Sequence, residues 1–252
     1  MRLKGKTAII TGATSGMGKA MAERFSMEGA SLVLSGRSQE RGLELERNLN
    51  KAGGKVVFVA GDVGKLEVNE ILVKTAIEHF GKLDTVVTNA GKLGLGSITE
   101  ISLNEWQETI NTNLNSVFYL SRLAIPEMLK NGGGCILANS SIAAFKSFPN
   151  HAAYCASKAA LVALVKEMAV DYGPKIRVNT ICPGPVDTPL IWDSAQAFEN
   201  PETIVQQTAN NTLMKRLGKP EDIASLALFL VSEEASWITG AAYTIDGGIL
   251  VK

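Results

Sequence analysis

Three side chains in the stretch NSSIAAFKSFPNHAAYCASK, residues 139–158, have the types needed to move a proton: the Ser141 hydroxyl, the Tyr154 phenol and the Lys158 ammonium. Tyr154 and Lys158 are four positions apart in the Ala-rich run AAYCASKAALVALVKEMA. That run favours helix, so the two side chains stand one turn apart on one face. An ammonium beside a phenol favours the phenolate, and a phenol tuned in this way can protonate a carbonyl oxygen or deprotonate an alcohol. Exposed helix pairs use the same spacing without any chemistry. The surrounding chain has to decide between the two uses.

The 252 residues, 46% of them hydrophobic, suffice for one large α/β domain. The first unit reads KTAIITGATSGMGKAMAERFSMEGASLVLSG. An apolar run over 7–11 meets Gly12, Gly16 and Gly18, a helical pattern follows to Gly29, and a second apolar run SLVLS begins at once. Strand, Gly-rich turn, helix and strand in that order predict a parallel βαβ unit. Glycines at such a turn let the backbone approach a pyrophosphate, and the free amides of the helix N-terminus stabilise its charge. The spacing is T-G-x-x-x-G-x-G rather than G-x-G-x-x-G, so a purely structural turn stays open at this point.

The end of the second strand bears on which dinucleotide would bind. A carboxylate there accepts from a ribose 2′-hydroxyl, whereas an arginine pairs with a 2′-phosphate. Here the run is Ser35, Gly36, Arg37, Ser38, with no carboxylate before Glu40. The residues therefore predict NADP(H) over NAD(H), a solvated helix-start arginine being the other use of Arg37. Asp62, ending the third strand KVVFVAGDV, could accept from an adenine amino group beside Val63, or serve as a helix cap. Asn89, Ala90 and Gly91 close the next strand with little side-chain bulk, which leaves room for a flat cofactor. Asn111, Asn113 and Asn115 stand inside a helical pattern where asparagine is disfavoured; a local kink that frees a carbonyl is one explanation, and chance polar surface positions account for at least two of the three.

Beyond the strand ending near Ser141, a sixth strand, IRVNTICPGPVDTP, is interrupted by Pro183 and Pro185, which hold the backbone away from helix beside the cofactor. Residues 187–213 alternate polar and large apolar types and read as a substrate lid. Leu95, Ala143, Phe148, His151, Leu190 and Trp192 would line a largely apolar pocket, with His151 either touching substrate or idle. Charge balance, 25 basic against 25 acidic residues, supplies no field for nucleic acid or an anionic membrane. Cys135, Cys155 and Cys182 are scattered, with neither metal-ligand spacing nor an evident His partner for a thiolate, which points to a reducing compartment and no metal site. The N-terminal residues lack a leader pattern and no transmembrane run occurs, so a cytoplasmic protein is expected.

Taken together, TGATSGMG, the DV at Asp62, NAG at Asn89, TNL at Thr112, the Ser141 to Tyr154 spacing, YCASK, PGPVDTP, LGKPEDIA and ITGAAYTIDGG resemble the short-chain dehydrogenase/reductase family over essentially the whole length. The resemblance implies one Rossmann-type domain, residues 1–252, with a doubly wound parallel β-sheet of about seven strands and helices on both faces. It implies a catalytic set of Asn113, Ser141, Tyr154 and Lys158. Tyr154 would be the acid or base, Lys158 and the oxidised nicotinamide would lower its pKa toward ~7, Lys158 would also hold ribose, Ser141 would hold the substrate oxygen, and Asn113 would hold a water. Cofactor contacts would fall on Gly12, Thr14, Ser15, Gly16, Met17, Gly18, Arg37, Asp62, Val63, Asn89, Ala90, Gly91, Tyr154, Lys158, Pro183, Gly184, Val186 and Thr188.

The implied activity is hydride transfer between NADP(H) and a ketone or secondary alcohol, by a carbonyl reductase or alcohol dehydrogenase that assembles as a homotetramer. A β-ketoacyl carrier-protein reductase and a polyol or sugar dehydrogenase are the alternatives within the family. A non-catalytic dinucleotide sensor is disfavoured because the whole catalytic set is present. Two positions depart from the pattern. Ser15 stands where many NADP(H) members carry a base, and Val170 lies near where ketoacyl reductases commonly carry an arginine.

Overall fold

The computed structural model describes all residues, 1–252. Seven strands form one sheet: β1 Thr7–Thr11, β2 Ser31–Gly36, β3 Lys55–Ala60, β4 Thr85–Thr88, β5 Gly134–Asn139, β6 Ile176–Pro183 and β7 Ala242–Ile245. Their order is β3-β2-β1-β4-β5-β6-β7, and every neighbouring pair is parallel. The central strands are buried along their whole length, as TAIIT and TVVT show, because helices cover both faces.

Alternation along the strands divides the core. Ile10, Leu32, Leu34, Val87 and Leu137 face α1 (Gly16–Met27), α2 (Gln39–Lys51) and α9 (Pro220–Val231). Their sequence neighbours Ile9, Val33, Val86 and Ile136 face the opposite layer, built from α3 (Leu66–Phe80), α5 (Ser116–Lys130) and α6 (Ala152–Tyr172). A period of two in the strands thus sends successive residues to different helix layers.

The chain leaves β1 toward β2 and β3, then returns across it to β4. That reversal opens a crevice at the carboxyl ends of β1 and β4, the place where doubly wound sheets bind ligands. The turns that follow β1 to β6 all meet at this end of the sheet, and they carry the glycine loop, Arg37, Asp62, Asn89, Ser141 and Thr188 in turn.

The long helical pattern of residues 102–130 is not one regular helix. It consists of α4 (Leu103–Ile110), a π-helical turn over Asn111–Asn115, and α5. Asn111 and Asn115 bracket this widened turn and Asn113 is at its centre, in keeping with the kink as one of the two readings of these residues. The stretch 187–213 contains two helices, α7 (Pro189–Ala195) and α8 (Pro201–Asn211), packed against each other.

Candidate active site

Tyr154 and Lys158 lie in the first two turns of α6, and both are buried. Lys158 Nζ is 5.6 Å from the centroid of the Tyr154 ring and donates to the Asn139 carbonyl at 2.7 Å. Ser140 Oγ donates to the Lys158 carbonyl at 2.8 Å, fastening the helix to the end of β5. Ser141 follows in extended conformation and caps the short turn Ile142–Ala144 by accepting from Ala143 N. Burial pushes the Tyr154 phenol up to about 12, against a smaller opposing effect of the Ser141 hydroxyl. It also holds the Lys158 ammonium down to about 8, with Cys182 acting in the other direction. In the protein by itself the shift of Tyr154 is therefore opposite to the expected lowering, because desolvation penalises a phenolate and an ammonium alike.

Asn113 is buried at the centre of the π turn, and all of its side-chain bonds are internal. Oδ1 accepts from Lys92 N at 2.8 Å, while Nδ2 donates to the Lys92 carbonyl at 2.8 Å and to Ser157 Oγ at 2.9 Å. Asn89 is a second clamp. Its Nδ2 donates to the carbonyls of Thr11 and Gly12, and its Oδ1 accepts from Asn139 Nδ2 at 2.8 Å. These bonds join the ends of β1, β4 and β5 into one polar seam below Lys158.

A mainly polar cleft of about 330 Å³ runs along the seam. Arg37, Ser38 and Arg41 stand at the β2–α2 turn, Asp62 and Val63 follow β3, the β1–α1 turn lies between, and Tyr154 and Lys158 line the cleft as well. The turn packs closely on the end of β4: Gly12 has φ +64°, and a Cβ there would fall 2.8 Å from the Ala90 Cα. The residues present thus fit an extended dinucleotide: bare backbone at the centre, two guanidinium groups by β2, and an ammonium and a phenol by α6.

A second cavity of about 180 Å³ adjoins the cleft. Ser141, Ala143, Phe148 and His151 form one side, Pro183–Val186 another, and α7 and α8 the cap. Tyr154 lines both cavities. His151 is buried with its ring edge-on to Tyr154 and to Phe148, and its Nε2 lies 2.8 Å from Ser194 Oγ on α7.

Comparison with known proteins agrees with this geometry. The family model described as enoyl-(acyl carrier protein) reductase matches residues 12–250. Glucose 1-dehydrogenase 2 of Bacillus subtilis is 39% identical over 251 residues, covering 98% of this chain and 95% of its relative. A 7 alpha-hydroxysteroid dehydrogenase complexed with NADH and 7-oxo glycochenodeoxycholic acid superimposes with a TM-score of 0.91 at 40% identity, over 98% of this chain and 95% of that one. L-sorbose reductase from Gluconobacter frateurii, complexed with NADPH and L-sorbose, does so with a TM-score of 0.93 at 35% identity, over 100% of both chains. The chain belongs to the short-chain dehydrogenase/reductase family.

Most positions read from the sequence of this short-chain dehydrogenase/reductase come together. Gly12, Thr14, Ser15, Gly16, Met17, Arg37, Asp62, Val63, Asn89, Ala90 and Gly91 line the polar cleft, whereas Pro183, Gly184 and Val186 line the apolar cavity, and Thr188 borders both. Gly18 is elsewhere. It is buried against the turn, where a Cβ would lie 2.1 Å from the Gly12 carbonyl oxygen, so it permits the helix to pack rather than facing the cleft. Ala143, Phe148, His151 and Leu190 are in the cavity wall, but Leu95 and Trp192 are not. Leu95 packs behind the wall beside Leu93, and the Trp192 indole, 41% exposed, donates to Asp187 Oδ1 at 3.1 Å.

Sequence reasoning missed Arg41 and Asn139, and it placed Phe198 in the lid without assigning it to the pocket wall. Arg41 is four residues after Arg37 across a helix start, a spacing that carries both guanidinium groups to one side, and this could have been read. Asn139 gave no such signal, since its role depends on strand neighbours.

Proposed function

We propose that this short-chain dehydrogenase/reductase interconverts a ketone and a secondary alcohol with NADP(H), and that Tyr154 is its general acid and base. The observation that carries the reading is the position of Tyr154, the residue whose phenol stands where the polar dinucleotide cleft opens into the apolar cavity. When bound, the dinucleotide supplies or accepts the hydride.

The chain's own residues do the rest. Tyr154 delivers a proton to the carbonyl oxygen during reduction, and its high pKa keeps that proton in place near neutral pH. Ser141 donates a hydrogen bond to the same oxygen as charge develops on it. Lys158 places positive charge beside the phenol, and in the oxidative direction this favours removal of the alcohol proton by phenolate. Both Nδ2 hydrogens of Asn113 are used, by the Lys92 carbonyl and Ser157 Oγ, while Oδ1 accepts only from Lys92 N. A water beside Lys158 would therefore be held by the second lone pair of Oδ1 or by the main chain of the π turn. The preference for NADP(H) is supported by Arg37 and Arg41 on the cleft wall with Ser38 between them and no carboxylate at the end of β2. Assembly as a homotetramer is part of the proposal, supported by the wholly exposed Trp237 between α9 and β7 and by exposed Leu103 and Phe118 on α4 and α5. Size-exclusion chromatography with light scattering reads it directly.

The direct test follows loss of NADPH absorbance with a panel of ketones. Turnover by the parent and a loss of at least 100-fold in Tyr154→Phe is the expected result. Full turnover in Tyr154→Phe would sink the mechanism.

A further inference from the structure

The wall of the apolar cavity contains no Asp, Glu, Asn, Gln, Lys or Arg side chain. Its few polar groups are largely committed to the protein itself. Ser140 Oγ donates to the Lys158 carbonyl, and Thr188 Oγ1 donates to the Val186 carbonyl. His151 is committed at both nitrogens. Nδ1 lies 2.5 Å from the Pro149 carbonyl, which only accepts, so Nδ1 carries the hydrogen. Nε2 then accepts from Ser194 Oγ, which uses that hydroxyl's hydrogen and leaves it only as an acceptor. Ser141, Tyr154 and the lone Thr208 on α8 keep a hydroxyl free to meet a ligand.

The cavity measures about 180 Å³. A water takes about 30 Å³ of liquid, so the pocket, which opens to solvent, encloses on the order of six to ten heavy atoms of a guest. Part of it, beside Gly184 and Val186, belongs to the reactive end of the dinucleotide in the reading above.

From these observations we infer that the substrate is an uncharged, mainly hydrocarbon ketone, or its secondary alcohol, whose reacting end has the size of a substituted six-membered ring. This deepens the proposed carbonyl chemistry and rests on it. One oxygen is held by Ser141 and Tyr154. The carbon skeleton is held by desolvation against Ala143, Phe148, Phe198 and Val205. A sugar would bury several hydroxyls against walls with few free polar groups, and an acyl thioester would add a second carbonyl to the same wall. Reduction forms a C–H bond with the two electrons of a hydride and an O–H bond with the Tyr154 proton. The carbonyl π bond is lost, the ketone is reduced to the alcohol, and the nicotinamide dinucleotide is oxidised.

The test compares kcat/KM at saturating NADPH for 2-methylcyclohexanone, a ketohexose and acetoacetyl-coenzyme A. The alicyclic ketone is expected to lead the other two by at least 100-fold, about 2.8 kcal/mol. An amide placed in the wall by Phe148→Asn should lower that lead by at least 10-fold. Equal or faster turnover of the ketohexose or thioester overturns the substrate class while leaving the Tyr154 mechanism standing, provided the activity vanishes in Tyr154→Phe. Absence of turnover with all three probes, in protein shown by fluorescence titration to bind NADPH, overturns both.

Discussion

The side chain of Asn113 pairs with the main chain of Lys92 as a strand neighbour would, with Lys92 N donating to Oδ1 and Nδ2 donating to the Lys92 carbonyl, both at 2.8 Å. The π turn that presents Asn113 thereby pins the loop after β4, and with it the Asn89–Gly91 wall of the cleft. A residue of the proposed catalytic set is in this way also a structural tie.

Asn113→Ala should therefore cost stability as well as rate. It leaves the Lys92 amide and carbonyl without their partners, a penalty of about 1–3 kcal/mol. A Tm lowered by several degrees in calorimetry, together with weaker NADPH binding, is the expected outcome. An unchanged Tm would show that the pairing contributes nothing to the loop.

Lys158 should behave in the opposite sense. Its folded pKa, about 8, is below the unfolded value, so the charged form is penalised in the fold. Below pH 8 that penalty is fully present. As pH rises from 8 to the unfolded value near 10.5 the folded protein loses the proton first, the unfolded chain binds more protons, and stability rises. Lys158→Met should be inactive yet more stable than the parent at pH 7, by up to about 3 kcal/mol. The gap in Tm should close as pH is raised through that window.

Arg37→Ser and Arg41→Ser should each weaken NADPH by about 10- to 100-fold, the worth of a charge-assisted hydrogen bond, while leaving NADH unchanged. Fluorescence titration with both dinucleotides measures the ratio. Equal loss for the two would mean that the arginines do not meet a 2′-phosphate.

Ser194→Ala removes one end of the tie between the start of α6 and the cap helix α7, and KM for the ketone should rise about 5-fold. His151→Ala also removes a ring packed edge-on to Tyr154 and Phe148, so its KM should rise further, with the double variant no worse than His151→Ala by itself. The pH profile of kcat should stay that of the parent. A changed profile in His151→Ala alone would make the histidine a participant in proton transfer.

Much of this protein was legible from local order in the chain. Apolar runs of four to eight residues, the first six each followed by a helix, point to a parallel sheet with its functional turns at one end, and seven parallel strands are observed. Arg37 and the pair Tyr154 and Lys158 were readable for the same reason, since a helix face and a strand end are set by spacing of a few residues. The i,i+4 spacing placed the ammonium by the phenol without any knowledge of the fold. What the spacing could not supply was the environment. Burial, which raises Tyr154 and lowers Lys158, depends on β5, β6 and the cap closing over α6. Asn113 and Lys92 are 21 positions apart and Asn89 and Asn139 are 50 apart, so their pairing follows from strand order and not from neighbouring residues. Leu95 and Trp192 had the apolar character of a pocket wall, but Phe198 and Val205 of the cap took those places. Hydrophobicity decides that a side chain leaves water, and only the packed tertiary structure decides which cavity it then lines.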